Sequence, residues 1–283
     1  MAAGAATWAV LALASWLLAE FFTRRRRMAF PSIVLLCLYA LSAFKVADHL
    51  LALTAHEAAK KSFNALLGIA SPSMGLVAIA ALAASAMVAL HYLRFRVPIT
   101  IAAVAAALVM AVITGLLSAF DIPEWVLRVL DGAMGLAIFA LAMRFDLSDP
   151  ERETRRTDIA FWLHMLAAPL VANTLIGGIA AMSAPSGTHA VAILALFVLL
   201  GVVAVIIDRR AILVSGLSYA GFAFYILVHD AGFEGKILPL TLLVLGAFVL
   251  LLSAGWRPVR TALLRLLPAH LAQRLPHPIL SSS

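Results

Sequence analysis

An all-α, polytopic bundle of about nine membrane-spanning helices is the fold class that the sequence predicts, and three observations predict it. The first is composition. Of 283 residues, 64% are hydrophobic and 12% charged, with a mean hydropathy of +1.05, whereas a soluble domain is roughly half apolar and about a quarter charged. A bilayer is the solvent that suits such a chain. The second is run length: apolar runs of roughly 20 residues, the length needed to cross a bilayer as a helix, recur from end to end. They are about twice the length of a barrel strand and lack strict apolar–polar alternation, so helices are expected rather than a barrel. The third is the placement of basic residues in short blocks between the runs, which is how orientation is written into a membrane chain.

The expected spans cover 7–22, 28–53, 74–92, 99–120, 125–143, 159–182, 190–207, 211–228 and 237–255. Residues 1–255 therefore form the bundle, and 256–283 a cytoplasmic tail. The first span has no positive charge before it and is followed by the block Arg24, Arg25, Arg26 and Arg27, so it reads as a retained helix rather than a cleaved signal. With that block inside and the spans alternating, 16 of the 21 Lys and Arg residues fall on the inner side, and Lys45, Lys60, Lys61, Arg128 and Lys236 on the outer side or outer half. Every basic-rich loop then agrees, with the N-terminus outside and the C-terminus inside. Adding or losing a central span would scramble this agreement.

The connections follow the same scheme. The turn Asp121-Ile122-Pro123-Glu124 and the segments 183–189 and 229–236 are short outer turns. Segment 54–73, with His56, Glu57, Lys60 and Lys61 near one face, reads as a protruding second helix or a short interfacial one. In the inner loop 144–158, Asp149-Pro150-Glu151 is a helix-start signal and Thr157-Asp158 a cap for the sixth span. The tail 256–276 spaces four arginines between Val259, Leu263, Leu266, Leu267 and Leu271. That pattern suits a helix lying on the membrane against anionic lipid headgroups, kinked at Pro268. The lipid bilayer is thus the expected partner, and a membrane or cytoplasmic protein could dock on loop and tail. The basic balance (pI about 10.2) comes without interleaved aromatics, so nucleic acid is not expected.

Nucleotide-binding glycine loops, H-E-x-x-H, nucleophile elbows and zinc-ligand spacings are missing from the sequence. Cys37 is the one cysteine, which excludes an intrachain disulfide and a cysteine-based metal site. The informative groups are the ionisable residues inside spans, which are costly there. Lys45, Asp48 and His49 share one face of the second span. Arg128 and Asp131 are spaced i, i+3 on the fifth, and His229 and Asp230 lie at the outer end of the eighth. The three sets reach similar outer depths. They are either local ion pairs or, if spans two, five and eight meet, one outward-facing pocket for a small polar solute or ion. Pro169, Asn173, Gly177 and Gly178 mark a candidate helix break in the sixth span, as at transporter sites, or else a kink packed on glycines. Ser215, Gly216, Ser218, Tyr219 and Gly221 form a small, polar stretch on the eighth. Glu20 sits one turn before Arg24, close enough to pair with it. His91 and His164 lie at inner helix ends and His49 and His229 at outer ends, which leaves a haem b electron carrier as an alternative. The two-ligands-per-helix pattern is missing, so no cofactor and no metal is expected.

Several stretches together carry a family likeness. They are Phe22 to Met28 with Pro31-Ser32-Ile33, and Asp158 to His164 with Ala167-Ala168-Pro169. To these are added Gly246-Ala247-Phe248 and Gly255-Trp256-Arg257-Pro258. The chain resembles a group of bacterial polytopic inner-membrane proteins of unknown function. The resemblance implies a multi-pass protein of the bacterial inner membrane and makes His164 the first residue to test. It carries no substrate or catalytic role. Transport of a small polar solute or ion is the leading expectation. The alternatives are a non-catalytic scaffold or assembly component, and a membrane-embedded enzyme or electron carrier.

Overall fold

In the computed structural model the described residues are 2–58, 72–180, 187–230 and 237–268. Among them the chain forms nine α-helices and no strand. These are α1 (Ala2–Ala19), α2 (Ala29–Ala58), α3 (Pro72–Phe95), α4 (Ile99–Ala119), α5 (Glu124–Leu147), α6 (Arg155–Ala180), α7 (Gly187–Ile206), α8 (Ala211–Asp230) and α9 (Ile237–Leu266). A π-helical turn, Glu20–Arg25, extends α1. Seven of these helices are long and apolar enough to cross a membrane, so the chain is a multi-pass membrane protein by composition and helix length. The helical form follows from the bilayer: only intrasegment hydrogen bonds satisfy the backbone where there is no water.

Among the described residues four non-glycine residues take positive φ: Arg27 (52°), Arg96 (53°), Arg152 (59°) and Asp208 (57°). Each lies in a connection that the charge pattern puts on the inner side. The left-handed conformation reverses the chain after a helix and satisfies its last carbonyls. After α7, the Arg209 amide donates to the Ala204 carbonyl at 2.7 Å, with Asp208 at the position glycine usually takes.

The chain divides into two compact units, residues 1–127 and 128–283. In the first, α1 packs on α2, α2 on α3 and α3 on α4. Its core is Ala12, Leu36, Tyr39 and Val88, continued by Ala19, Leu35, Phe95 and Val97. His91 is buried among the rings of Phe95, Tyr39 and Trp16, at centroid distances of 4.4, 5.2 and 5.6 Å. Glu20 accepts from Arg24 (3.3 Å) on its own helix turn and from Arg94 (2.7 Å) on α3.

In the second unit, α8 packs against α6, α7 and α9. A core around the α7–α8 turn joins Ala168, Ala204, Val205, Ile207, Ile212 and Trp256. The helices α5 and α6 approach closely at two glycines. A Cβ on Gly132 would stand 2.9 Å from the Thr174 side chain, and one on Gly135 would stand 2.9 Å from the Leu170 Cβ.

Three local expectations are corrected. α6 runs unbroken through Pro169, Asn173, Gly177 and Gly178, so the candidate break is a continuous helix. Thr174 Oγ1 there donates to the Arg128 carbonyl of α5 at 2.8 Å. The inner loop starts no helix at Asp149-Pro150: α6 begins at Arg155. Its cap is Thr154, whose Oγ1 accepts from the Arg156 amide at 3.2 Å, rather than Thr157-Asp158. Finally, α9 continues past Gly255 through Pro258 to Leu266. In this segment Trp256, Arg260 and Leu264 are buried, so its first turns pack on the unit instead of beginning a separate surface helix. Residues 59–71, 181–186, 231–236 and those from 269 onward, where the interfacial segment, two outer turns and the end of the tail are expected, lie outside the described residues.

Candidate functional site

The most strongly constrained polar group in the second unit is at the C-terminal end of α5. Along that helix the buried residues are Gly132, Gly135, Ile138, Ala142 and Asp146, a stripe at helical spacing that ends in a carboxylate. Asp146 is fully buried. Arg209, from the α7–α8 turn, grips it with two nitrogens: Nε donates to Oδ2 at 2.9 Å and Nη2 donates to Oδ1. On α6, His164 Nε2–H donates to Oδ2 at 2.8 Å. His164 is also fully buried, with the Phe139 ring edge-on at 5.2 Å and no hydrogen-bond partner for Nδ1 among the described residues. A carboxylate in such a place needs this much pairing, because an uncompensated buried charge is very costly.

Beside this triad the same turn builds a second layer. Asp208 Oδ2 accepts from Arg152 Nη1 at 2.9 Å, and its Oδ1 accepts from the Trp256 indole N–H at 2.7 Å. Arg210 lies over the Trp256 ring at 5.0 Å, a cation–π contact. Left-handed φ at Asp208 thus sends three consecutive side chains, Asp208, Arg209 and Arg210, to three different partners. The α5–α6 loop is shaped for the same task. Asp149 accepts from Thr154 Oγ1 (2.7 Å), the Thr154 amide (2.9 Å), Thr157 Oγ1 (3.0 Å) and the Glu153 amide (3.3 Å). These bonds, the Thr154 hydroxyl first, hold its carboxyl down at about 2. The loop so fixed presents Arg152. Burial, and then the charge of Arg209, lower the Arg152 pKa from its ordinary value.

These residues wall a cavity of about 730 Å³, lined by Arg152, Arg209, Arg210, Arg257 and Arg260, with Phe161, Asp208, Trp256 and Thr261 completing it. Five arginines face two carboxylates, Asp208 on the wall and Asp146 behind it. Among the described residues no carboxylate pairs with Arg210 or Arg257. A cavity with this balance attracts an anion, and guanidinium forks match the oxygens of phosphate or carboxylate.

The outer residues expected to form a pocket are distributed over both units. Lys45, Asp48 and His49 sit half-buried on α2 in the first unit. His49 Nδ1–H donates to the Lys45 carbonyl at 2.9 Å, and its ring lies against Gly4, where a Cβ would come within 3.1 Å. No ion pair joins Lys45 to Asp48; the Lys45 ammonium stands 5.7 Å from the Phe44 ring centre. Arg128 and Asp131 are on α5, and His229 stacks on Tyr225 at 6.3 Å on α8. The side chain of Asp230 lies outside the described residues, as do those of Ser215, Ser218 and Tyr219. Of the candidate site residues named from the sequence, His164 alone joins the Asp146–Arg209 cluster. Asp146 was missed because it lies beyond the expected end of the fifth span, and Arg209 because its charge served to orient the chain. The 3–4 spacing of Gly135, Ile138, Ala142 and Asp146 is the signal that could have found the carboxylate.

Fold and site together define a multi-pass helical membrane protein with a cationic cavity in its second unit, between the α5–α6 loop, the α7–α8 turn and α9. No protein-family model matches the chain, and no curated protein or solved structure matches it either.

Proposed function

We propose that this chain is a nine-span protein of the bacterial inner membrane, N-terminus outside, that binds a small anion at its cytoplasmic face as a step in transport. The observation that carries this reading is the gathering of five arginines from three separate segments (the α5–α6 loop, the α7–α8 turn and α9) around one cavity. Orientation alone needs positive charge on the inner side, not convergence on a common space. The transport reading moves the first contact with solute from the outer set, Lys45, Asp48, His49, Arg128, Asp131, His229 and Asp230, to the inner end.

The topology is tested by replacing Cys37 with Ser and placing single cysteines at Glu151 and Asp121. A membrane-impermeant thiol reagent should label Cys at 121 in intact cells and Cys at 151 only after permeabilisation. The site is tested by calorimetry of the purified protein with inorganic phosphate, sulfate and a small dicarboxylate. At least one should bind, and Arg210→Gln with Arg257→Gln should weaken it by more than tenfold. No binding of any of the three, by protein that is monodisperse and helical, overturns the reading.

A further inference from the structure

The arginine cavity does not end at its polar wall. A second, apolar cavity of about 170 Å³ adjoins it and shares two of its residues, Arg210 and Trp256. Away from that junction it is lined by Phe197 of α7, Leu213 and Leu217 of α8, and Phe248 and Leu252 of α9. The two spaces differ sharply in chemistry, guanidinium on one side and hydrocarbon on the other. Between them the Trp256 indole is fixed, its N–H held by Asp208 and its face covered by Arg210. Trp at the boundary between polar and apolar zones is what a membrane interface selects. The groove is open along its α9 rim, where Val249 is 44% exposed, and that rim belongs to a helix apolar enough to span, so its opening faces hydrocarbon.

We infer that the ligand of this site is a phosphate-bearing lipid, its headgroup in the arginine cavity and an acyl chain in the groove between α7, α8 and α9. This deepens the anion-binding reading proposed above and rests on it: the anion is the headgroup of a lipid rather than a free small solute. A free inorganic or organic phosphate would satisfy the arginines and leave the adjoining apolar space unused. A lipid satisfies both, and it reaches the site sideways from the inner leaflet without its chain crossing water. The positive charge on Arg210 and Arg257 suits a headgroup with net negative charge, which favours phosphatidic acid or phosphatidylglycerol over the zwitterionic phosphatidylcholine.

The test is native mass spectrometry of the full chain in detergent, titrated with phosphatidic acid, phosphatidylglycerol, phosphatidylcholine and glycerol 3-phosphate. Phosphatidic acid should bind at least about tenfold more tightly than glycerol 3-phosphate, the gain that about two buried methylenes supply, and phosphatidylcholine should bind weakly. Ser253→Trp, which fills the groove from an exposed position on α9, should lower affinity for phosphatidic acid by that factor and leave glycerol 3-phosphate binding unchanged. Leu217→Trp is a second filling variant from α8. Arg210→Gln with Arg257→Gln should weaken both ligands. If glycerol 3-phosphate binds as tightly as the lipid and both filling variants keep full lipid binding, the lipid inference fails while the anion site stands. If folded wild-type protein binds neither, both fail.

Discussion

Breaking the Asp146–Arg209 pair should be among the most damaging single changes available in this protein. Asp146 receives three hydrogen bonds, two from Arg209 and one from His164, with its side chain wholly shielded and Arg209 only 6% exposed. Arg209→Ala removes both guanidinium bonds and leaves the carboxylate with His164 alone. Removing one partner of a buried pair costs about 3–5 kcal/mol, because the remaining charge has lost its counter-charge without regaining water. Asp146→Ala should cost about as much, since it strands the guanidinium. The double change Asp146→Leu with Arg209→Met should cost clearly less than the two single costs added together, because no orphaned charge is left. Arg209→Lys falls between: it keeps a positive charge and loses the two-nitrogen grip. The assay is equilibrium unfolding of purified protein in mixed micelles, followed by helical circular dichroism, with size-exclusion profiles recorded in parallel. A single variant within about 1 kcal/mol of the parent, or a double variant whose cost equals the sum of the singles, would refute the view that this is a dry, mutually dependent pair.

Close packing gives a second test. Gly132→Ala and Gly135→Ala each place a methyl about 2.9 Å from a neighbour, and each should destabilise by about 1–3 kcal/mol in the same unfolding assay. Gly246→Ala meets nothing within 4 Å and should be neutral or slightly stabilising. Arg96, with φ of 53°, separates backbone from side chain: Arg96→Gly should be more stable than Arg96→Val by about 1–2 kcal/mol, and equal stabilities would mean that the left-handed turn is not held. Asp149 sets an acid limit. Its carboxyl titrates at about 2 when folded and near the ordinary aspartate value when unfolded, so it contributes stability that is complete above about pH 4 and is lost as the pH falls toward 2. Asp149→Ala should flatten that part of the stability–pH curve and leave the slope between pH 5 and 8 unchanged. An unaltered acid limb would show that the four hydrogen bonds on Asp149 do not survive in solution.

The helices were legible because both bilayer and backbone impose their demands locally. Apolar length and basic punctuation placed nine runs; the nine helices among the described residues coincide with them to within a few residues at most ends, and seven of those are long and apolar enough to cross a membrane. Where the reading went astray, a longer-range partner had changed the meaning of a local signal. Pro169 beside paired glycines suggests a break, yet the helix persists, and Thr174 ties it to α5. Asp149-Pro150 has the chemistry of a cap, yet its carboxylate gathers a loop instead, because Thr154 and Thr157 offer it hydroxyls. The basic segment after Gly255 looks like a surface helix, yet Trp256 has Asp208 to bind and Leu263 and Leu264 have a core to cover.

The candidate site was least legible for the same reason. Asp146, His164 and Arg209 are separated by 18 and 63 residues from carboxylate to partner, and none of the three is unusual where it stands. An arginine that orients a membrane protein and one that neutralises a buried carboxylate occupy the same kind of position, at the inner end of a span, so the positive-inside rule absorbs both. What separates them is a carboxylate at equal depth on the buried stripe of another helix. In this chain Asp146 lies in register with Gly135, Ile138 and Ala142, and a residue that cannot face lipid or water must find its charge partner among the arginines of a neighbouring turn. Of the two adjacent arginines after Asp208, Arg209 is the buried partner of Asp146, whereas Arg210 lies over Trp256 on the cavity wall. Both line the cavity, but Arg209 also neutralises a buried carboxylate, which makes the turn at 208–210 the place where structure and proposed function are joined.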